Sequence, residues 1–282
     1  MSAETVDLPP RIVGPSAIGG DPRRFWFLAV TLAITDFKLR FFGSMLGYLW
    51  QLFRPLLLFG VLYAVFTQFV RVGSPVKFYP VLLLENIVLF QYFTEATGAV
   101  SSLVDRENLI RKIQFPRLAV PVASVLTATF NLTLNMLVVL VLALASGVPV
   151  RLSWLELPVL LACLALLATG LAMLLSSLFV RFRDIKPIWD VIVQILFYGT
   201  PIIYALETIH LSASLKHAIM CNPLATIIEQ ARHAVIDPGA PSAAGAVGGW
   251  AMLVIPVGIS IALIVTGWVV FTRAAPDLAE RL

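Results

Sequence analysis

Charge is scarce in this chain and is concentrated at a few places. Residues 103–121 read LVDRENLIRKIQFPRLAVP and carry six charged side chains, Asp105, Arg106, Glu107, Arg111, Lys112 and Arg117, between stretches that are almost purely apolar. Leu109, Ile110 and Ile113 fall at helical spacing, which predicts a short amphipathic helix over 104–115 that Asp105 caps and Pro116 ends. A loop that only sets membrane orientation needs basic residues, because acidic groups contribute little to that rule. Mixed signs, with Asp105 and Glu107 among the basic residues, suit the docking of a protein partner. RFRDIKP, with Arg181, Arg183 and Asp184, is a second compact charged loop. Glu85, Asn86, Gln91 and Glu95 interrupt another apolar run, where buried carboxylates face a polar cavity or a partner helix. Phe59, Tyr63 and Phe66 share one helix face, and Asn86, Phe90, Phe93 and Thr97 share another.

Chemistry that would make the chain an enzyme is missing from this inventory. No glycine-rich run leads into Lys-Ser or Lys-Thr, and there is no HExxH or GxSxG. Cys163 and Cys221 lack metal-ligand spacing, and His210, His217 and His233 are too loosely spaced for a ligand set. No catalytic, metal or cofactor site is expected on this chain. Work against a gradient would draw its energy from a partner or an ion.

The elements that position these groups follow from composition. The chain is 59% hydrophobic and 13% charged, with a mean hydropathy of +0.92, where soluble domains carry roughly 25% charged residues. Repeated apolar stretches of about 20 residues predict membrane helices rather than a barrel. The expected fold is an all-α integral membrane protein: an amphipathic interfacial helix plus six transmembrane helices. Residues 1–24 read as a cytoplasmic tail, 25–51 as the interfacial helix and 52–271 as the membrane domain, with a cytoplasmic tail at 272–282. The apolar run at 25–35, about 11 residues, is too short to span, so Lys38 and Arg40 are expected outside the hydrocarbon. The six spans are expected near 52–70, 81–103, 118–145, 154–179, 188–204 and 249–271. Residues 205–248 are too apolar for an ordinary loop and predict short re-entrant or interfacial helices. With both termini inside, 15 basic residues lie on the inner side and five on the outer, a positive-inside bias.

Four motifs in order carry a resemblance. NxxLIRKIxFPR follows a span, VRFRDI closes another, TPIIY ends the next, and NPLxxIIExxR comes after it. Together, over about residues 37–237, the chain resembles the membrane subunit of ABC-2-type exporters, and more narrowly the permeases that export lipid-linked O-antigen, capsular and teichoic-acid polysaccharides. The resemblance implies a homodimer in a bacterial plasma or inner membrane with two separate ATPase subunits that hold ATP and Mg. It implies a coupling helix at Asp105, Arg106, Glu107, Asn108, Arg111 and Lys112, supported by Arg181, Arg183 and Asp184. It also implies a lipid-linked glycan as cargo, with membrane lipid as the other partner and no role for nucleic acid. Lys38, Arg40 and Arg54 would then lie near lipid entry. Aromatic rings suit a sliding polymer because they stack on the apolar faces of sugars, so Phe59, Tyr63, Phe66, Asn86, Phe90, Phe93, Tyr198 and Tyr204 are channel candidates. The same stripes serve plain helix packing. Arginine outnumbers lysine 15 to five, a composition of GC-rich genomes, where a cell-wall galactan precursor is one candidate cargo. Teichoic-acid or capsule export, an ion-driven transporter using Glu85 or Glu95, and a glycolipid-modifying enzyme are the other readings.

Overall fold

The computed structural model describes residues 17, 21–41, 47, 49–69, 76–106, 116–209 and 211–277. Among these every regular element is helical. In chain order they are α1 (Pro22–Phe41), α2 (Leu49–Ala64, ending in a wide π turn at Val65–Phe69), α3 (Tyr79–Thr97), α4 (Ser102–Asp105) and α5 (Ala119–Ala145). There follow α6 (Glu156–Arg181), α7 (Ile185–Gly199), α8 (Ala213–Met220), α9 (Pro223–Val235), α10 (Ala243–Val247) and α11 (Val254–Ala274). Five helical stretches among the described residues are long and apolar enough to cross a membrane: Leu49–Phe69, Tyr79–Asp105, Ala119–Ala145, Leu152–Arg181 and Val254–Ala274.

The most polar of these stretches is the most enclosed. Of its most apolar window 61% is buried, against 11% for the α2 stretch and 17% for α11. Every residue of α3 from Val81 to Phe90 is buried. A helix bearing Glu85, Asn86 and Glu95 is costly against lipid, so it occupies the middle of the bundle. It packs against α2, α5 and α6, while α6 packs on α11 and α1 lies along α5. The α6–α11 crossing is close because both helices lack a side chain there: a Cβ added at Gly267 would sit 2.1 Å from the Gly170 carbonyl oxygen.

The stretch expected as span five differs. Its helix stops at Gly199 after 15 residues, a rise of about 22 Å against a hydrocarbon core of about 30 Å. Pro201 explains the stop: the residue before a proline is driven out of the helical region, and Thr200 is extended at φ −102°, ψ 144°. The non-helical peptide that follows is buried and its carbonyls are held from α3. Asn86 Nδ2 donates to the carbonyls of Pro201 and Ile202 at 3.0 Å each, and the Tyr79 hydroxyl donates to that of Ile203 at 2.8 Å. Irregular backbone inside a membrane bundle needs such internal partners.

Candidate functional site

Helix α1 packs through Ala29 and Ala33, both fully buried, and Thr127 Oγ1 of α5 donates to the Ala33 carbonyl at 3.3 Å. The far face exposes Trp26, Phe27, Val30 and Ile34. Its charges are segregated along its length rather than around it: Arg23 and Arg24 at one end, Asp36, Lys38 and Arg40 at the other. The helix ends at Phe41, and Trp50 and Gln51 already belong to α2.

At that end of α1 lies a cavity of about 790 Å³ between α1, α2, α3 and α7. Arg40, Arg54, Glu95, Gln51, Gln91 and Thr94 supply its polar groups, and Trp50, Phe90 and Phe197 its rings. Gln91, Thr94 and Glu95 share one face of α3 at i, i+3 and i+4. Arg40 pairs with Glu95, whose Oε1 also accepts from Asn131 Nδ2 at 2.6 Å. Arg54 has no carboxylate partner among the described residues. One ion pair and one guanidinium without a carboxylate partner, beside aromatic rings and amides, form a pocket suited to an anionic, hydroxyl-rich ligand.

The residues singled out from the sequence divide accordingly. Arg40 and Arg54 share the cavity, whereas Lys38 is exposed and does not line it. Phe90 lines it and meets Phe197 edge-on at 5.2 Å between ring centroids. Phe93 lies behind, 2% exposed and against Trp189. Asn86 and Thr97 are buried and do not line the cavity, the first donating to the Pro201 and Ile202 carbonyls and the second to the Phe93 carbonyl. Phe59 stacks on Tyr63 at 5.6 Å, and Tyr63 on Tyr79 at 6.4 Å. Phe66 is half-buried and Tyr198 is exposed, while the Tyr204 hydroxyl donates to the Tyr198 carbonyl at 3.3 Å. Glu85 is neither at a rim nor in the cavity; it is fully buried.

Of the charged handle, Glu107, Asn108, Arg111 and Lys112 lie outside the described residues. Arg106 pairs with Asp36 of α1. Asp105 closes α4 and accepts from Ser101 Oγ at 2.8 Å, so it ends a helix where a cap for the next one was expected. The α4 segment packs on α6, whose last residues join the RFRDI turn. There Arg181 and Arg183 lie over the rings of Phe182 and Phe179, and Asp184 is exposed.

A second polar group escaped the sequence reading. Arg232 of α9 is buried and holds Glu207 and, at 3.1 Å, Glu229 Oε1. It is also the cation whose charge acts on Glu85. Burial pushes the Glu229 carboxyl up to about 7 in spite of Arg232, while the bond from Arg232 and its charge hold Glu207 below the ordinary carboxylate range, although burial opposes them. Glu229 and Arg232 belong to NPLxxIIExxR, so the signal was present in the sequence, but Glu207 and Glu85 come to it only through the fold. Helix α9 lies beside α6: Gln230 Nε2 donates to Glu156 at 2.7 Å, and at the other end Asn222 Nδ2 donates to Thr200 Oγ1 at 3.1 Å.

Comparisons with known proteins agree on the class. The O-antigen export system permease protein RfbA of Klebsiella pneumoniae is 30% identical over 203 residues, 71% of this chain and 77% of that protein. The protein of the same name from Myxococcus xanthus is 28% identical over 202 residues, with the same two shares. The profile described as ABC-2 type transporter matches residues 28–236. The chain therefore belongs to the ABC-2 type transporter family of membrane subunits.

Proposed function

We propose that this chain is the membrane subunit of an ATP-driven exporter that moves a lipid-linked polysaccharide outward across a bacterial plasma membrane. The observation that carries this reading is the cavity of Arg40, Arg54, Trp50, Gln51, Gln91 and Phe90. Its guanidinium groups fit the phosphate head of a polyprenyl carrier, and its rings and amides fit the first sugars. The names of the relatives support a polysaccharide cargo. The sequence holds no phosphate loop, and this reading assigns ATP and Mg to a separate ATPase subunit. Residues 104–115 and the RFRDI turn are the docking point for that subunit, and the termini lie in the cytoplasm.

A homodimer supplies the rest of the channel. Leu57, Leu58, Val61 and Tyr63 of α2 are exposed, as are Ile188, Val191, Ile195 and Tyr198 of α7, and both helices border the cavity. Two copies meeting along these faces enclose a path lined by aromatic side chains. Purification from the native membrane in mild detergent tests the assembly. The expected result is a polypeptide with a phosphate loop co-eluting in equal amount, with cross-links to residues 105–114. Repeated recovery of the chain alone would reject an ATP-driven machine.

A further inference from the structure

Two ion pairs on one face of α1 connect the cavity to the charged handle. Asp36 and Arg40 are four residues apart and so lie above one another on the helix. Asp36 holds Arg106, the residue next to the 107–115 stretch, and Arg40 holds Glu95 in the cavity wall. Behind that wall is a smaller cavity of about 380 Å³ bounded by Asp36, Arg40, Glu95, Gly98, Ala99, Ser124 and Thr127. Arg40 and Glu95 line both spaces, so their pair forms the partition between them.

This partition is exchangeable. The Arg40 side chain is 44% exposed and the Glu95 side chain 19%, so an anion entering the larger cavity reaches the guanidinium. Phosphate binds arginine through paired, charge-assisted hydrogen bonds, as a carboxylate does. A diphosphate brings more charge than Glu95 and can use Arg54 as well. Glu95 is not orphaned by the exchange, because Asn131 still donates to it. An unpaired carboxylate would carry a large penalty here, and the asparagine lessens it.

Resting on the export reading above, we infer that Glu95 is a built-in counter-ion that the phosphate head of the lipid carrier displaces from Arg40, and that α1 passes this exchange through Asp36 to Arg106 and the adjoining handle. Glu95 and the headgroup compete for one cation, so an empty cavity keeps α1 locked to α3 and an occupied one releases it. A ligand shifts such an equilibrium only by its differential affinity for the two arrangements, and the competition provides that difference.

The permease assembled with its ATPase in nanodiscs tests the inference, with ATP hydrolysis followed against undecaprenyl diphosphate and, in a parallel arm, inorganic pyrophosphate under excess Mg. Glu95→Gln should lower the half-maximal lipid concentration by at least about fivefold, the lower bound of ordinary coupling between sites. Arg40→Gln should raise it. Arg106→Gln and Asp36→Asn should keep lipid binding, read by thermal shift, but lose its effect on hydrolysis. A wild-type complex that responds to the lipid while Glu95→Gln responds equally or more weakly overturns the counter-ion role. If Glu95→Gln does not assemble, retained stimulation in Asp36→Asn overturns the relay. Equal response to inorganic pyrophosphate overturns the lipid as source. No response of the wild type to any diphosphate lipid, with export intact in cells lacking the chain, is instead the failure of the export reading itself.

Discussion

Arg232 shows how much of the far side of the bundle depends on one side chain. It is 4% exposed and serves Glu207 and Glu229 together, so removing it strands a buried carboxylate. Breaking a buried pair from one side costs about 3–5 kcal/mol. Arg232→Ala should lower the thermal midpoint in detergent far more than Arg181→Ala, whose guanidinium is exposed. The same cluster predicts a pH dependence. The folded state holds the Glu229 proton up to about pH 7, above the ordinary 4.5. Stability from that proton is therefore fully present below about 4.5 and is lost as pH rises through about 7. The midpoint of the wild type should fall between pH 5 and pH 8 relative to that of Glu229→Gln. Parallel curves for the two proteins would show that Glu229 is ionised throughout.

Among the elements, α6 and α11 give the sharpest test, because their contact is backbone on backbone. Close approach through small residues is how membrane helices gain packing. Gly267→Ala puts a methyl group where the Gly170 carbonyl sits, and overpacking costs about 1–3 kcal/mol. Gly258→Ala on the same helix meets open space and should be neutral; equal loss in both would mean that helix propensity, not packing, decides. Helix α3 shows what was legible beforehand. Its carboxylates and amides marked it as a helix that lipid does not surround, and it is the central one. Which face borders the cavity was not legible, because a helix buried continuously from Val81 to Phe90 shows no polar–apolar periodicity there. Asn86 therefore grouped with Phe90 by spacing, although it serves the α7 peptide. Span five was overread for a related reason: hydropathy continues through TPIIY, while Pro201 ends the helix at Gly199. The pairs Arg40–Glu95 and Arg106–Asp36 join residues 55 and 70 positions apart, and no local pattern announces them.

For the whole molecule, the proposed orientation is argued from charge and the proposed assembly from exposure. On the proposed orientation, the positive-inside bias of the sequence puts the handle, the RFRDI turn and both termini inside and residues 205–248 outside. Ser212 is exposed at the start of α8. With Cys163 and Cys221 replaced, Ser212→Cys should react with an impermeant maleimide added to intact cells; reaction only after lysis would invert the topology. The central claim is that ATP hydrolysis by a partner moves a lipid-linked glycan through this chain, and transport in proteoliposomes tests it most directly. Permease and ATPase are reconstituted with a lipid-linked polysaccharide, and its appearance on the far leaflet is read with an impermeant lectin. The account predicts transfer that requires ATP and Mg and falls at least tenfold in Arg54→Gln, about the 1.4 kcal/mol of one charge-assisted contact. Transfer driven by an ion gradient without ATP, or none under any condition with a fully assembled complex, would contradict it.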